Sequence, residues 1–243
     1  MSDVIISGAN GKMGTIVKDI VNENEDFNLV KLFDPSFTNK EDGSSSITSL
    51  PDADLVIDFC TADSIFSNCT FWVEKYEYII VGSSGLTVEN IHELSNCLKD
   101  DQLLWIVPNF SIGSILQKKW SIEASKYYKS VEIEERHHAE KQDYPSRTSY
   151  DLASSLKNMS SDNIKDIQSD NKYSIVNNIQ INSIRDNQYL AEQGVTFSDS
   201  NEKIILDHIT LNRKSYMKGI SMALQNYKKL TGVCIGLELI LGD

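Results

Sequence analysis

A glycine-rich segment directly after the first predicted strand places the strongest constraint on the fold of this chain. Residues 4–6 form a short apolar strand, and Gly8, Gly11 and Gly14 follow it in a GxxGxxG spacing. Residues 16–21 then place apolar groups on one face of a helix. A strand, a glycine turn and a helix in this order bind a dinucleotide, because the backbone can approach the pyrophosphate at the positive helix end. The alternative is a glycine-rich turn that binds nothing.

Alternating strands and helices continue up to residue 108. The further predicted strands are 29–33, 55–59, 79–81 and 103–107. Asp63 is expected to cap one of the intervening helices and Thr87 to open another, whereas the polar stretch 36–50 is expected to be a loop. This alternation predicts a doubly wound parallel sheet, that is, a Rossmann-type domain.

The pattern changes after Pro108. A helix is predicted with an apolar face formed by Leu116, Trp120, Ala124 and Tyr127. A half-exposed strand at 131–134 follows, then three strand-like runs between Tyr173 and Leu211 that no long helix separates. A last helix carries apolar residues from Met217 to Tyr227.

These patterns predict an α/β fold in two parts. We expect a Rossmann-type dinucleotide-binding domain at residues 1–112, completed by residues 214–243. Residues 113–213 are expected to form a second, α+β domain built on a mixed sheet.

Composition excludes several classes of function. The formal net charge of −12 argues against a nucleic-acid partner, and any site for a small anion must therefore be assembled locally. No apolar run approaches the roughly 18 residues of a membrane span, and the N-terminal residues do not resemble a signal peptide. The four cysteines are expected to be reduced core thiols of a cytoplasmic protein, not metal ligands: Cys60, Cys69, Cys97 and Cys234.

An acidic residue at the end of the second strand bears on the choice of nucleotide. Asp34 follows Gly14 by 20 residues, where a carboxylate accepts hydrogen bonds from an adenine ribose and repels a 2′-phosphate. No arginine follows it, although Lys12 could offset part of the repulsion. We therefore expect NADH, or both NADH and NADPH, as cofactor. The alternative is a carboxylate that only ends the strand.

Residues 134–148 hold most of the chemically active side chains of the second half. His137 and His138 are adjacent, and Lys141 follows them, so a proton donor and a persistent cation lie close in sequence. Ser146 and Thr148 precede an apolar-periodic helix, whose N-terminus attracts anions. A zinc site lacks ligands here. Without further information, a solvated polar loop is the simpler interpretation.

Several motifs together resemble those of the 4-hydroxy-tetrahydrodipicolinate reductase family. The chain carries GANGKMG at 8–14, VIDF at 56–59, GSSG at 82–85, PNFSIG at 108–113 and HHAEK at 137–141, with Arg213, Tyr216 and Gly219 in a late segment. The matches are collinear from Gly8 to Gly219, which makes the set far more specific than any one motif.

The resemblance implies a role for each matching residue. It implies His137 as the general acid with Lys141 as a second catalytic residue, and substrate binding by His138, Ser146 and Thr148. Arg147, which lies between the last two, is a further candidate for substrate binding. It implies cofactor contacts, in addition to the contact expected for Asp34 from its position, by Gly8, Asn10, Gly11, Lys12, Met13, Phe59, Gly82, Ser84, Asn109, Phe110 and Arg213. It also implies a dicarboxylate substrate and a homotetramer built through the sheet of the second domain.

One segment departs from the family pattern. Where the family has DAPSGTA, this chain has DYPSRTS, so that Tyr144 replaces an alanine and Arg147 a glycine. Arg147 either enters the substrate pocket as a carboxylate clamp or points to solvent. We expect it to point outward, because the turn needs its amide more than another cation.

The expected function is NAD(P)H-dependent reduction of 4-hydroxy-tetrahydrodipicolinate, or its dehydrated form dihydrodipicolinate, in lysine (diaminopimelate) biosynthesis. One alternative is a reductase of the same fold that acts on a different anionic imine or unsaturated acid, as the altered turn would allow. The other is a catalytically silent nucleotide-binding protein, against which the intact HHAEK segment argues.

Overall fold

The computed structural model of the protein describes residues 1–38, 43–157, 159–161 and 172–242. The chain divides into two compact units, Met1–Ser111 with Tyr216–Asp243, and Ile112–Ser215. The predicted loop 36–50 and the predicted range 214–243 each include positions outside the described residues.

A six-stranded parallel sheet forms the first unit. Its strands are β1 (Ser2–Ser7), β2 (Phe27–Phe33), β3 (Leu55–Asp58), β4 (Tyr78–Val81), β5 (Leu103–Ile106) and β11 (Gly232–Ile235), in the order β11-β5-β4-β3-β1-β2. Strands β3 and β5 are buried along their whole length, as expected for parallel strands covered on both faces. The predicted Rossmann-type sheet is confirmed, but β11 was not predicted from the sequence.

The described residues of this unit include four α-helices: α1 (Lys12–Asn22), α2 (Ile65–Lys75), α3 (Val88–Cys97) and α6 (Met217–Asn226). Thr87 opens α3 as predicted, with a capping box in which its hydroxyl accepts from the Asn90 amide at 3.2 Å. The prediction that Asp63 caps a helix is wrong, because α2 begins at Ile65 and Ser64 occupies the N-cap position. Near the C-terminus, α6 contacts α1.

A mixed five-stranded sheet forms the second unit. Its strands are β6 (Ser130–His137), β7 (Lys172–Val176), β8 (Ile179–Arg185), β9 (Ala191–Ser198) and β10 (Lys203–Thr210), in the order β10-β9-β6-β8-β7. Among the described strands of this sheet, only β6 and β8 pair in parallel, so the predicted mixed sheet is confirmed. Four strands lie where three runs were predicted. The reason is a tight turn at Asn177 and Asn178, both with positive φ, which separates β7 from β8.

In the described part of this unit, two α-helices accompany the sheet, α4 (Ile112–Ala124) and α5 (Arg147–Ser155). Leu152 and Ala153 of α5 pack into an apolar core with Val131 and Ile133 of β6. The predicted apolar face of α4 is wrong, because Trp120 is exposed while the helix buries Ser114, Gln117 and Ser121. Gln117 explains this orientation, since its amide donates to the backbone carbonyls of Gln193 and Leu206.

All four cysteines are free, but only Cys69 is buried and Cys97 is exposed, so the prediction of core thiols holds for one of them. In the described part of the chain, no helix has the length and apolar character needed to cross a membrane.

Candidate active site

The glycine segment of the first unit forms a cradle of backbone atoms. Gly8 has a φ of +71°, and a Cβ there would lie 2.8 Å from the Cys60 nitrogen and closer still to the Phe59 carbonyl. A Cβ at Gly14 would strike the Gly8 carbonyl. Gly11 precedes α1, and among the described residues no side chain caps this helix. Its first amides are therefore oriented to bind an anion such as a pyrophosphate.

Asp34 lies beside this cradle and is tied to it. Its Oδ2 accepts from the Asn10 amide at 3.0 Å, and its Oδ1 accepts from the Ser36 amide at 2.9 Å. The Asn10 side chain completes the loop by donating to Ser36 Oγ at 2.9 Å. Burial raises the pKa of the Asp34 carboxyl, but the hydrogen bonds from Ser36 and Asn10 outweigh it and lower that pKa. Asp34 is therefore an ionised acceptor; Ser36 was not identified from the sequence.

Two aromatic rings lie at the carboxyl end of the same sheet. Phe59 follows β3, and its ring lies so close to Gly82 that any Cβ there would collide with it. The ring centroids of Phe59 and Phe110 are 5.6 Å apart. Asn109 lies beside them, and its Oδ1 accepts from the Ser111 amide at 2.8 Å. The structure thus brings three of the predicted cofactor residues together as an apolar platform: Phe59, Gly82 and Phe110.

Four further predicted cofactor residues are not part of this platform, and three of them are exposed to solvent. Lys12 and Ser84 are exposed and Met13 is half-buried. Arg213 is exposed at the start of a short 3₁₀ helix, Arg213–Tyr216, and belongs to the second unit.

A buried carboxylate organises the candidate site of the second unit. Glu135 lies on β6, is fully buried, and its Oε2 contacts Nδ1 of His137. Its Oε1 accepts from Arg185 Nη2 at 2.8 Å and from the Ser146 amide at 3.3 Å. Burial raises the pKa of the Glu135 carboxyl, but the hydrogen bonds from His137 and Arg185 outweigh it and lower that pKa to about 2. The group is therefore an anion at neutral pH.

Arg185, at the end of β8, fixes the segment that carries the predicted lysine. Its Nε donates to the Lys141 carbonyl at 3.2 Å, and its Nη2 donates to the Asp143 carbonyl at 2.5 Å. The guanidinium carbon lies 4.2 Å from the centroid of the Tyr144 ring, which Lys172 also approaches at 4.2 Å. Tyr144 is thus part of the support of this segment.

Sequence reasoning missed both Glu135 and Arg185. One signal was available, because Val131, Ile133 and Glu135 occupy alternate, inward-facing positions of one strand. A carboxylate that continues such an apolar series must be paired. Its partner lies 50 residues further along the chain, so the sequence does not identify it.

His138 and Lys141, the two other predicted site residues of the HHAEK segment, follow Glu135 closely in the chain, and the Lys141 carbonyl accepts from Arg185. Lys141 Nζ pairs with Asp143 Oδ1 at 2.7 Å, and the Lys141 amide donates to the His138 carbonyl at 3.1 Å. Burial raises the pKa of the Asp143 carboxyl, but the hydrogen bond and charge of Lys141 outweigh it and lower that pKa. His138 is half-buried. Lys141 is therefore held in an ion pair with a partly exposed carboxylate.

The predicted carboxylate-binding turn is the N-terminus of α5. Ser146 is buried and caps the helix, because its Oγ accepts from the Ser149 amide at 3.3 Å. The described part of the chain gives no hydrogen-bond partner for the Arg147 and Thr148 amides, which lie in the first turn. The Arg147 side chain is 80% exposed, and its Nε pairs with Asp151 at 2.9 Å. The structure therefore places this guanidinium outward.

Two family models match the chain over nearly its whole length. The model described as "Dihydrodipicolinate reductase, N-terminus" matches residues 2–110, and "Dihydrodipicolinate reductase, C-terminus" matches residues 113–241. A 4-hydroxy-tetrahydrodipicolinate reductase of Coxiella burnetii (strain RSA 493 / Nine Mile phase I) is 35% identical over 241 residues, 98% of this chain and 99% of the relative. The enzyme of that name from Legionella pneumophila (strain Lens) is 32% identical over 244 residues, 98% of each.

Solved structures similar to this chain include a dihydrodipicolinate reductase and an NAD(H)-binding dehydrogenase. A dipicolinate-bound dihydrodipicolinate reductase from Paenisporosarcina sp. TG-14 superimposes with a TM-score of 0.80 at 25% identity, covering 99% of this chain and 100% of the other. A Lactobacillus casei myo-inositol dehydrogenase in complex with NAD(H) and myo-inositol has a TM-score of 0.66 at 13% identity, covering 97% and 89%. The second likeness concerns the fold alone.

Proposed function

This chain belongs to the dihydrodipicolinate reductase family, and we propose that it reduces 4-hydroxy-tetrahydrodipicolinate to tetrahydrodipicolinate with NAD(P)H, in lysine (diaminopimelate) biosynthesis. It is an oxidoreductase. The observation that carries the proposal is the match to the family through both units, at 35% identity over 98% of the chain. The chemistry of the two half-sites supports it.

The first unit fits a nicotinamide dinucleotide. The backbone cradle at Gly8 and Gly11 suits the pyrophosphate, and ionised Asp34 suits the hydroxyls of a ribose. The platform of Phe59 and Phe110 suits a flat nicotinamide ring. When bound, the cofactor supplies the hydride of the reduction.

The second unit supplies the proton and holds the substrate. After the 4-hydroxy group leaves as water, the ring is a conjugated imine that takes up one hydride and one proton. We assign the proton to Nε2 of His137, whose Nδ1 contacts Glu135. Lys141, His138, Thr148 and the first amides of α5 would bind the two substrate carboxylates. The dipicolinate bound by the Paenisporosarcina relative supports a dicarboxylate ligand.

The altered turn does not favour a different substrate. That alternative required the Arg147 guanidinium to enter the pocket, whereas its side chain is exposed and paired with Asp151. The direct experiment is NAD(P)H oxidation by the purified protein with freshly generated dihydrodipicolinate. A rate no higher than without substrate would refute the proposed function.

Asp34→Ala should weaken NADH binding by roughly tenfold or more. Hydrogen bonds to a charged acceptor contribute about 1.5–3 kcal/mol each. NADPH binding should weaken less, because removing the carboxylate also removes repulsion of the 2′-phosphate. Fluorescence titration of both nucleotides measures the change, with Asp19→Ala, an exposed position on α1, as the control. A wild-type preference for NADPH of tenfold or more would contradict this assignment.

Arg147→Ala should leave the KM for dihydrodipicolinate within about threefold of the wild-type value. The guanidinium lies in solvent against Asp151, and such exposed pairs contribute about 0–1 kcal/mol. Steady-state kinetics of this variant, with Lys141→Met as the comparison that should raise KM, test the placement. A tenfold increase in KM, about 1.4 kcal/mol, would show that Arg147 binds substrate.

We also propose a homotetramer assembled through the sheet of the second unit. Strand β10 lies at an edge of that sheet and exposes Ile205 and Ile209 by 57% and 53%. Apolar side chains on an open edge are typical of a surface that another subunit covers. Light scattering of the purified protein measures its mass directly.

A cytoplasmic location is consistent with the cysteines. All four are free thiols, as is usual in a reducing compartment. Cell fractionation tests this location.

A further inference from the structure

The Glu135 carboxylate joins three segments of the second unit that the proposed reaction needs in register. Its two oxygens contact His137 at the end of β6, Arg185 at the end of β8 and the Ser146 amide at the start of α5. We propose that Glu135 is a positioning residue, which holds the His137 ring through Nδ1 and so makes Nε2 the atom that delivers the proton. This inference rests on the proposed function, because it assumes His137 as the proton donor.

The strand geometry places the two side chains together. Glu135 and His137 are two residues apart on β6, so they lie on the same face of the sheet. His137 is paired in register with Arg185 of the neighbouring parallel strand. The Glu135 carboxylate therefore lies in contact with the imidazole through one oxygen and with Arg185 through the other.

The hydrogen-bond pattern goes beyond what an ion pair needs. Arg185 Nη2 and the Ser146 amide both donate to Oε1, which satisfies one oxygen of the buried anion. Oε2 remains for Nδ1 of His137. Because the carboxylate is ionised and can only accept, Nδ1 must carry a hydrogen. The neutral ring then has its lone pair on Nε2, the nitrogen that gains a proton from solvent and gives it up.

The Glu135 carboxylate also connects the proposed proton donor, His137, with the N-terminus of α5, where the substrate is proposed to bind. Ser146 caps α5, whose first amides are the proposed carboxylate binders, and its own amide is held by Glu135. Arg185 holds the carbonyls of Lys141 and Asp143. One buried ion pair thus fixes the proton donor, the lysine segment and the helix N-terminus relative to one another.

Glu135→Gln separates these roles because an amide offers one acceptor and one donor. If its oxygen faces Arg185 and Ser146, its NH₂ faces Nδ1 of His137, and a doubly protonated ring is then excluded. We expect kcat to fall roughly 10- to 100-fold, the range typical of partners that orient a functional histidine, with KM changed less. Glu134→Gln, at a partly exposed carboxylate paired with Arg136, is the matched control and should keep wild-type kinetics.

A double-mutant cycle distinguishes positioning from structural support. If Glu135 acts through His137, Glu135→Gln should cost little further turnover in a His137→Gln background. An equal loss in both backgrounds would overturn the proposal, and so would an unchanged kcat for Glu135→Gln alone.

The wild-type protein provides a test that needs no Glu135 variant to fold. In ¹⁵N-histidine NMR, with the His137 signal assigned by its absence in His137→Gln, neutral His137 should carry its hydrogen on Nδ1. A hydrogen on Nε2 would overturn the proposal. Should the protein fail to reduce dihydrodipicolinate, or His137→Gln keep full turnover, the proposed function fails, whereas this measurement still decides whether Glu135 holds the ring.

Discussion

His137→Gln should lower kcat by about 10²- to 10⁴-fold, the usual contribution of a positioned general acid. Glutamine has no proton to give near neutral pH, so the proton that must follow the hydride has to come from water. Its amide NH₂ can still donate to Glu135, whose Oε2 contacts the histidine in the wild-type protein. The variant should therefore fold, and the loss should fall on the chemical step.

Cofactor affinity distinguishes a loss of the proton donor from a general disruption of the fold in His137→Gln. The glycine cradle and Asp34 belong to the first unit and His137 to the second, so NADH affinity should stay within about twofold of wild type. His138→Gln is the matched comparison, and it should raise KM more than it lowers kcat. Unchanged turnover in His137→Gln would instead assign the proton to His138, Lys141 or water.

The Rossmann-type sheet could be predicted because its signals are local. The GxxGxxG segment lies between β1 and α1, and the Thr87 capping box lies within four residues. Strand β11 was missed, since it is a short, partly exposed edge strand that pairs with β5 from a distant part of the chain. In the second unit, the sequence predicted three strand-like runs between Tyr173 and Leu211, whereas the structure has four strands, with a turn of positive φ at Asn177 and Asn178 between β7 and β8.

In the candidate site, too, some residues could be predicted from the sequence and others could not. His137, Lys141 and the α5 N-terminus are contiguous in sequence, and their motif resembles that of a family. The groups that hold them are not contiguous, since Arg185 meets Glu135 only because β6 and β8 pair in parallel. A motif therefore identifies side chains that meet substrate, whereas the buried charges that orient them appear only in the fold. The buried face of α4 was predicted wrongly for a related reason. Its Gln117 side chain is buried because it donates hydrogen bonds to backbone carbonyls of β9 and β10, which are distant in sequence.

The buried anion should also make the protein sensitive to acid. Lowering the pKa of the Glu135 carboxyl from 4.5 to about 2 on folding corresponds to about 3 kcal/mol of stability. Because the folded-state pKa is the lower one, this stabilisation is complete above about pH 5 and is lost as the pH falls towards 2. Among the described residues, His137, Arg185, the Ser146 amide and the Ser183 hydroxyl face the carboxylate.

Urea unfolding at fixed protein concentration between pH 7 and pH 3 measures the effect. Wild type should lose about 2 kcal/mol more over this range than Glu135→Gln, which has no carboxyl to titrate. At pH 7 the variant should be the less stable protein, because Arg185 would then be buried without its anion. Glu134→Gln should follow the wild-type curve, since Glu134 is partly exposed. Parallel curves for wild type and Glu135→Gln would mean that the Glu135 carboxyl titrates alike in the folded and unfolded chain, and that the contacts with His137 and Arg185 do not stabilise the anion.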